Sequence, residues 1–265
     1  SYLLTQFNVI MTYIRLMFLP INQNLDYDYP LSQSFFEFPT FFSFVGLITI
    51  VAFAVWIFKR SRLISFGIFW FFITLSVTSS IIPIIDVIFE HRLYLPSAGF
   101  IIFFTVAIYQ TFDYLCKKNI SLAKRENMIL SIVFISIIML YSTGTYQRNR
   151  VWKDGFTLWH DTVKKSPHKA RPHNNLGTAY VDRGSLDKAM EEFKRALEIN
   201  TRYPPAHYNL GKVYAEKNLY EQAIREYQQT LRLDPDFTDA HGNLGIAYLE
   251  IGLYDLAIDE FKTVL

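Results

Sequence analysis

Apolar residues dominate the first 146 of 265 positions in long runs, and charged residues crowd the remainder. Four runs, Phe41 to Phe58, Leu63 to Ile82, Ala98 to Leu115 and Met128 to Tyr146, each approach the ~20 residues that cross ~30 Å of hydrocarbon as an α-helix. They are too long for strands, and in lipid an open segment satisfies its own backbone polar groups only as a helix. The pattern predicts transmembrane helices over about 41–58, 63–82, 98–115 and 128–146. Residues 1–19 differ, because Thr5, Gln6, Asn8, Thr12 and Arg15 interrupt the apolar positions ahead of Pro20. That mixture predicts an interfacial helix over about 1–19, followed by an outer loop over about 20–40. Asp26 and Asp28 in the loop suit a metal or a general base; a solvated, tyrosine-rich loop at headgroup level is the plainer reading.

After Tyr146 the pattern becomes periodic. Asn175-Leu176-Gly177, Asn209-Leu210-Gly211 and Asn243-Leu244-Gly245 recur every 34 residues. Tyr180, Tyr214 and Tyr248 keep the same register, as do Ala189, Ala223 and Ala257 and the aromatics Phe193, Tyr227 and Phe261. This is the tetratricopeptide-repeat pattern of two packed helices per repeat. It predicts a membrane domain over 1–146 and repeats over 147–265: a half repeat at about 152–167, repeats at about 170–203 and 204–237, and a truncated one at about 238–265. The fold class is therefore all-α, a polytopic transmembrane helix bundle followed by an α-solenoid. Stacked repeats bury one another's apolar faces, so the pattern running to Leu265 implies further repeats or a capping helix, as a start at Ser1 without methionine implies a fragment.

Net charge of +2 is too small and scattered for a nucleic-acid partner. Sidedness comes from the connections. Lys59, Arg60 and Arg62 lie between the first two spans, and Lys117, Lys118, Lys124 and Arg125 between the last two. The bias puts both connections in the cytoplasm and the repeats on the periplasmic or lumenal side. Cys116, the single cysteine, permits no internal disulfide; beside two lysines it is either an ordinary apolar residue or a lipid-modified thiol. His173, His207 and His241 fall one per repeat, too far apart to share a metal ion, and read as core or helix-surface residues; no metal site is expected.

Between the second and third runs lies Glu90-His91-Arg92-Leu93-Tyr94-Leu95-Pro96-Ser97, a charged turn ending in proline, with Asp86 one helical turn earlier. Charge is costly in hydrocarbon, so this turn belongs at the membrane surface or along a wet cavity. Apolar helices, this turn and outer-face repeats together resemble the transmembrane and tetratricopeptide-repeat proteins, protein O-mannosyltransferase-like members of the GT-C glycosyltransferases, and their bacterial relatives. The resemblance implies an integral protein, in a bacterial inner membrane for a bacterial-type member, acting with a polyprenyl-phosphate sugar donor outside the cytoplasm. The catalytic acid of that class lies in a first outer loop for which this chain has no match, so the catalytic residues are expected upstream of Ser1.

Within that resemblance, Arg92 with His91 pairs with a lipid phosphate, because a guanidinium fork matches phosphate oxygens. Glu90 then holds Arg92 or meets the acceptor, and Asp86 shares the cavity. The competing reading leaves these charges only to anchor a helix end. Asn175, Asn209 and Asn243 resemble the asparagine ladder of O-GlcNAc transferase, whose amides would grip an extended peptide on the concave repeat face; alternatively they bond adjacent helices. The reading is part of a lipid-dependent glycosyltransferase whose repeats hold protein acceptors, with no further cofactor. The alternative is a non-catalytic, membrane-anchored scaffold.

Overall fold

The computed structural model describes residues 2–27, 29–78, 94–118 and 125–264, and every regular element among them is an α-helix. Contacts divide the chain into two compact units, Ser1–Arg150 and Val151–Leu265.

The first unit contains α1 (Tyr2–Phe18), α2 (Phe38–Ile57), α3 (Arg62–Thr78), α4 (Tyr94–Lys118) and α5 (Glu126–Val151, whose last residue begins the second unit). Among the described residues three helical stretches are long and apolar enough to cross a membrane: Phe38–Ile57, Leu95–Lys117 and Asn127–Val151. The span expected over 63–82 is described only to Thr78, and its 17 residues there fall short of a crossing. Ile132, Ile135, Ile138, Met139 and Leu140 on α5 are exposed, a surface suited to hydrocarbon rather than water. α5 passes Tyr146 without a break because Gln147 to Arg150 contain no helix breaker. α4 begins at Tyr94, so the turn expected to continue to Ser97 gives way to helix; Pro96 is tolerated in a first turn, where its missing N–H has no intrahelical partner.

α1 buries one face against its neighbours. Its Val9, Tyr13 and Leu16 are buried with Phe71 and Leu75 of α3. The polar residues that interrupt it have partners: Thr5 Oγ1 accepts from the Ser32 N–H at 2.8 Å, and Thr12 Oγ1 lies 3.2 Å from the Tyr29 hydroxyl. The loop after α1 is likewise not simply solvated, since it folds back on the helices, packs Tyr27 and Tyr29 against that cluster and leaves Asp26 only 2% exposed. α3 and α4 meet at glycines: a Cβ on Gly67 would lie 2.6 Å from the Gly99 carbonyl oxygen, and one on Gly99 2.5 Å from that of Gly67. Small residues at the crossing allow this approach. Cys116 is buried.

The second unit comprises α6 (Gly155–Lys165), α7 (Ala170–Val181), α8 (Leu186–Ile199), α9 (Pro204–Glu216), α10 (Tyr220–Leu233), α11 (Thr238–Glu250) and α12 (Tyr254–Val264). Asp154 caps α6 by accepting the Thr157 N–H at 2.7 Å. The pairs α7–α8, α9–α10 and α11–α12 are hairpins, stacked in order with α6 against α7. Each turn holds one left-handed residue at the same repeat position, Gly184, Asn218 and Gly252, residue types that tolerate positive φ. Within a hairpin the aromatic of the second helix lies flat on the glycine of the first, Phe193 on Gly177, Tyr227 on Gly211 and Phe261 on Gly245, so a Cβ there would sit 2.6–2.7 Å from the ring. Between hairpins, Ala223, Ile224 and Tyr227 pack with Leu244, Ala247 and Tyr248 of the following repeat. Thr230, where these repeats usually carry alanine, is fully buried with its hydroxyl on the Glu226 carbonyl at 3.0 Å.

Candidate functional site

Asp86, Glu90, His91 and Arg92 lie outside the described residues. Asn175, Asn209 and Asn243 are described, half-buried at one register position of α7, α9 and α11. Asn209 Nδ2 donates to Asn174 Oδ1 at 3.0 Å, and Asn243 Nδ2 donates to the Tyr208 hydroxyl at 2.9 Å. Both bonds reach back 35 residues into the preceding repeat. Asn175 differs: its Oδ1 accepts from Asn174 Nδ2 at 3.2 Å. Among the described residues the first rung therefore keeps both amide N–H groups, while the second and third each keep one N–H and the carbonyl oxygen. Tyr208 also stacks near Phe237, 4.9 Å between ring centres, and burial, with Asp239 nearby, raises its hydroxyl pKa. The ladder thus performs both tasks: it joins repeats and retains unspent polar groups.

The repeat histidines have a geometry that sequence reasoning missed. Nδ1 of His173, His207 and His241 lies 2.6, 2.7 and 2.6 Å from Oε2 of Glu192, Glu226 and Glu260. Nε2 of each lies 3.1 Å from a backbone carbonyl oxygen, that of Pro167, Thr201 or Pro235. A neutral imidazole has one N–H, yet both nitrogens face acceptors, so each ring is best satisfied as an imidazolium. The Glu192 hydrogen bond raises the His173 pKa against the opposing pull of burial and Arg195. For His207 and His241 burial is the largest influence and lowers it, but the carboxylate and carbonyl hydrogen bonds together outweigh burial. The signal was present in the sequence, since Glu192, Glu226 and Glu260 share the 34-residue interval. No cluster of metal-binding side chains occurs among the described residues.

The TPR repeat family model matches residues 177–218 and 213–252. The second unit is a tetratricopeptide-repeat array. The chain is also similar to protein O-mannosyl-transferases: it is 29% identical over 114 residues to F38B6.6 of Caenorhabditis elegans, 27% over 120 residues to TMTC1 of Homo sapiens and 25% over 128 residues to Tmtc3 of Drosophila melanogaster. These alignments cover 43%, 45% and 48% of this chain but only 15%, 13% and 13% of those relatives. Among solved structures, the crystal structure of MamA matches 45% of this chain and 70% of its own at 30% identity with a TM-score of 0.40. YrrB, a TPR protein with an unusual peptide-binding site, matches 40% of this chain and 55% of its own at 22% identity with a TM-score of 0.39.

Proposed function

We propose that this chain is part of a membrane glycosyltransferase that takes a sugar from a polyprenyl-phosphate donor and places it on protein acceptors held by the tetratricopeptide array outside the cytoplasm. The observation that carries this reading is the similarity to protein O-mannosyl-transferases of three animals in a chain that combines span-length apolar helices with repeats. The array's part is to hold an extended segment through its backbone, with a peptide carbonyl on the Asn175 amide and peptide N–H groups on the oxygens of Asn209 and Asn243. The part of Arg92, with His91, is to pair with the donor phosphate; Glu90 orients Arg92, and Asp86 completes the polar lining.

Two measurements test these parts. Arg92→Ala in the full-length protein is expected to abolish sugar transfer at unchanged protein levels, and unaltered transfer refutes the phosphate assignment. Peptide binding to residues 151–265 is expected to weaken in the Asn175→Ala, Asn209→Ala, Asn243→Ala variant with its circular dichroism retained. A scaffold that performs no chemistry is the second reading, favoured by the TPR repeat family model matching residues 177–218 and 213–252. It predicts partner binding without transfer in the intact protein.

A further inference from the structure

In the first unit, α1, the segment before α2 and the start of α2 enclose a cavity of about 380 Å³, lined by Asn8, Thr12, Arg15, Tyr29, Glu37 and Ser43 among others. Its walls are cross-braced. Asn8 Nδ2 donates to Ser32 Oγ at 3.0 Å and Thr40 Oγ1 at 3.1 Å, which fixes the amide and leaves Asn8 Oδ1 buried without a hydrogen-bond partner. Glu37 uses Oε1 to accept the N–H groups of Gln33 and Ser34, at 2.9 and 3.1 Å, and leaves Oε2 unused. Arg15 and Glu37 line the same cavity, and no ion pair between them occurs among the described residues. The cavity therefore offers one positive charge and one negative charge at separate points of its wall.

Its depth follows from α2. Glu37 is the N-cap of that span-length helix, and Pro39 and Ser43, in its first two turns, also line the cavity, which places it where lipid headgroups meet hydrocarbon. Leu31, Phe36 and Phe38 flank this region with side chains 59%, 82% and 75% exposed, an apolar collar suited to acyl chains.

We propose that this cavity binds the headgroup of a zwitterionic phospholipid carrying a primary ammonium, of the phosphatidylethanolamine type. The phosphodiester pairs with Arg15, the ammonium donates an N–H bond to Glu37 Oε2, and the chains lie along Phe36 and Phe38. Charge complementarity selects this occupant. A trimethylammonium headgroup has no N–H for the Glu37 carboxylate, and a hydroxylated anionic headgroup sets a second negative charge against Glu37. The site needs no sugar and does not depend on the transfer reaction.

The test is native mass spectrometry of the full chain released from vesicles holding equal amounts of phosphatidylethanolamine, phosphatidylcholine and phosphatidylglycerol. Preferential retention of phosphatidylethanolamine is expected. Arg15→Gln and Glu37→Gln should each lower it about tenfold, the order of a lost charge-assisted hydrogen bond. Arg15 is exposed, and glutamine at 37 still accepts the Gln33 and Ser34 N–H groups, so both variants keep the local fold. Equal retention of phosphatidylcholine, preference for phosphatidylglycerol, or unchanged retention in both variants overturns the proposal. Displacement of the lipid by soluble glycerophosphoethanolamine overturns the lipid as occupant, assigning the site to the free headgroup.

Discussion

Replacing Glu192, Glu226 and Glu260 together by glutamine isolates the contribution of the three histidine clasps. Each pair joins the two helices of one hairpin, and burial is substantial: the histidine side chains are 7%, 13% and 20% exposed and their glutamates 21%, 24% and 23%. Solvent screening is therefore partial, weakest at His173 and strongest at His241. A charge-assisted hydrogen bond contributes ~1.5–3 kcal/mol against ~0.5–1.5 kcal/mol for a neutral one, so each clasp loses about 1 kcal/mol on deprotonation and three lose about 3 kcal/mol. The folded pKa values lie above the ordinary value of 6.5. Stability from the imidazolium form is thus fully present below pH 6.5 and disappears as pH rises through the raised folded values. Residues 151–265 should accordingly unfold at a urea midpoint about 1–2 M higher near pH 6 than near pH 9, read by far-UV circular dichroism. The triple glutamine variant should lose most of that difference; His160 and His168 remain in both proteins, so the contrast reports the clasps alone. Equal wild-type stability at the two pH values, or a triple variant with an undiminished difference, refutes the imidazolium assignment.

Two glycines of the array should respond with opposite signs. Gly211→Ala pushes a methyl to 2.7 Å from the ring of Tyr227, itself 1% exposed, so ~1–3 kcal/mol of overpacking should outweigh the ~1 kcal/mol gained in helix propensity and lower the urea midpoint. Gly242→Ala meets nothing within 4 Å and should raise that midpoint by up to ~1 kcal/mol of stability; the reverse order of the two variants contradicts the packing described. In the first unit, Gly67→Ala should separate α3 from α4, breaking the 3.2 Å bond from Trp70 Nε1 to the Leu95 carbonyl and lowering the melting temperature of the detergent-solubilised chain; an unchanged melting curve refutes the close crossing.

The array was legible because each packing residue is written three times: Gly211 beneath Tyr227 repeats Gly177 beneath Phe193, and periodicity exposes such positions without knowledge of contacts. Apolar run length likewise marked the three helices long enough to cross a membrane, but helix ends were less clear, since a proline at 96 signals a break yet is permitted in a first turn. α1 was read as interfacial because Thr5, Asn8 and Thr12 look like interruptions; their partners Ser32, Thr40 and Tyr29 lie 17 to 32 residues away, and no local pattern records such pairings. The cavity beside Arg15 and Glu37 was invisible for the same reason. The histidine clasps were readable in principle, but required following Glu192 and its equivalents at the repeat interval rather than asking only what three histidines share.

The unequal rungs of the asparagine ladder give the array a heading. Two N–H groups stand open at Asn175 but only one, beside an open oxygen, at Asn209 and at Asn243, so a strand laid along the ladder and the same strand turned end for end do not meet the same welcome. A passenger polypeptide of arbitrary sequence would be sorted by backbone polarity alone, arriving foremost by one terminus rather than the other.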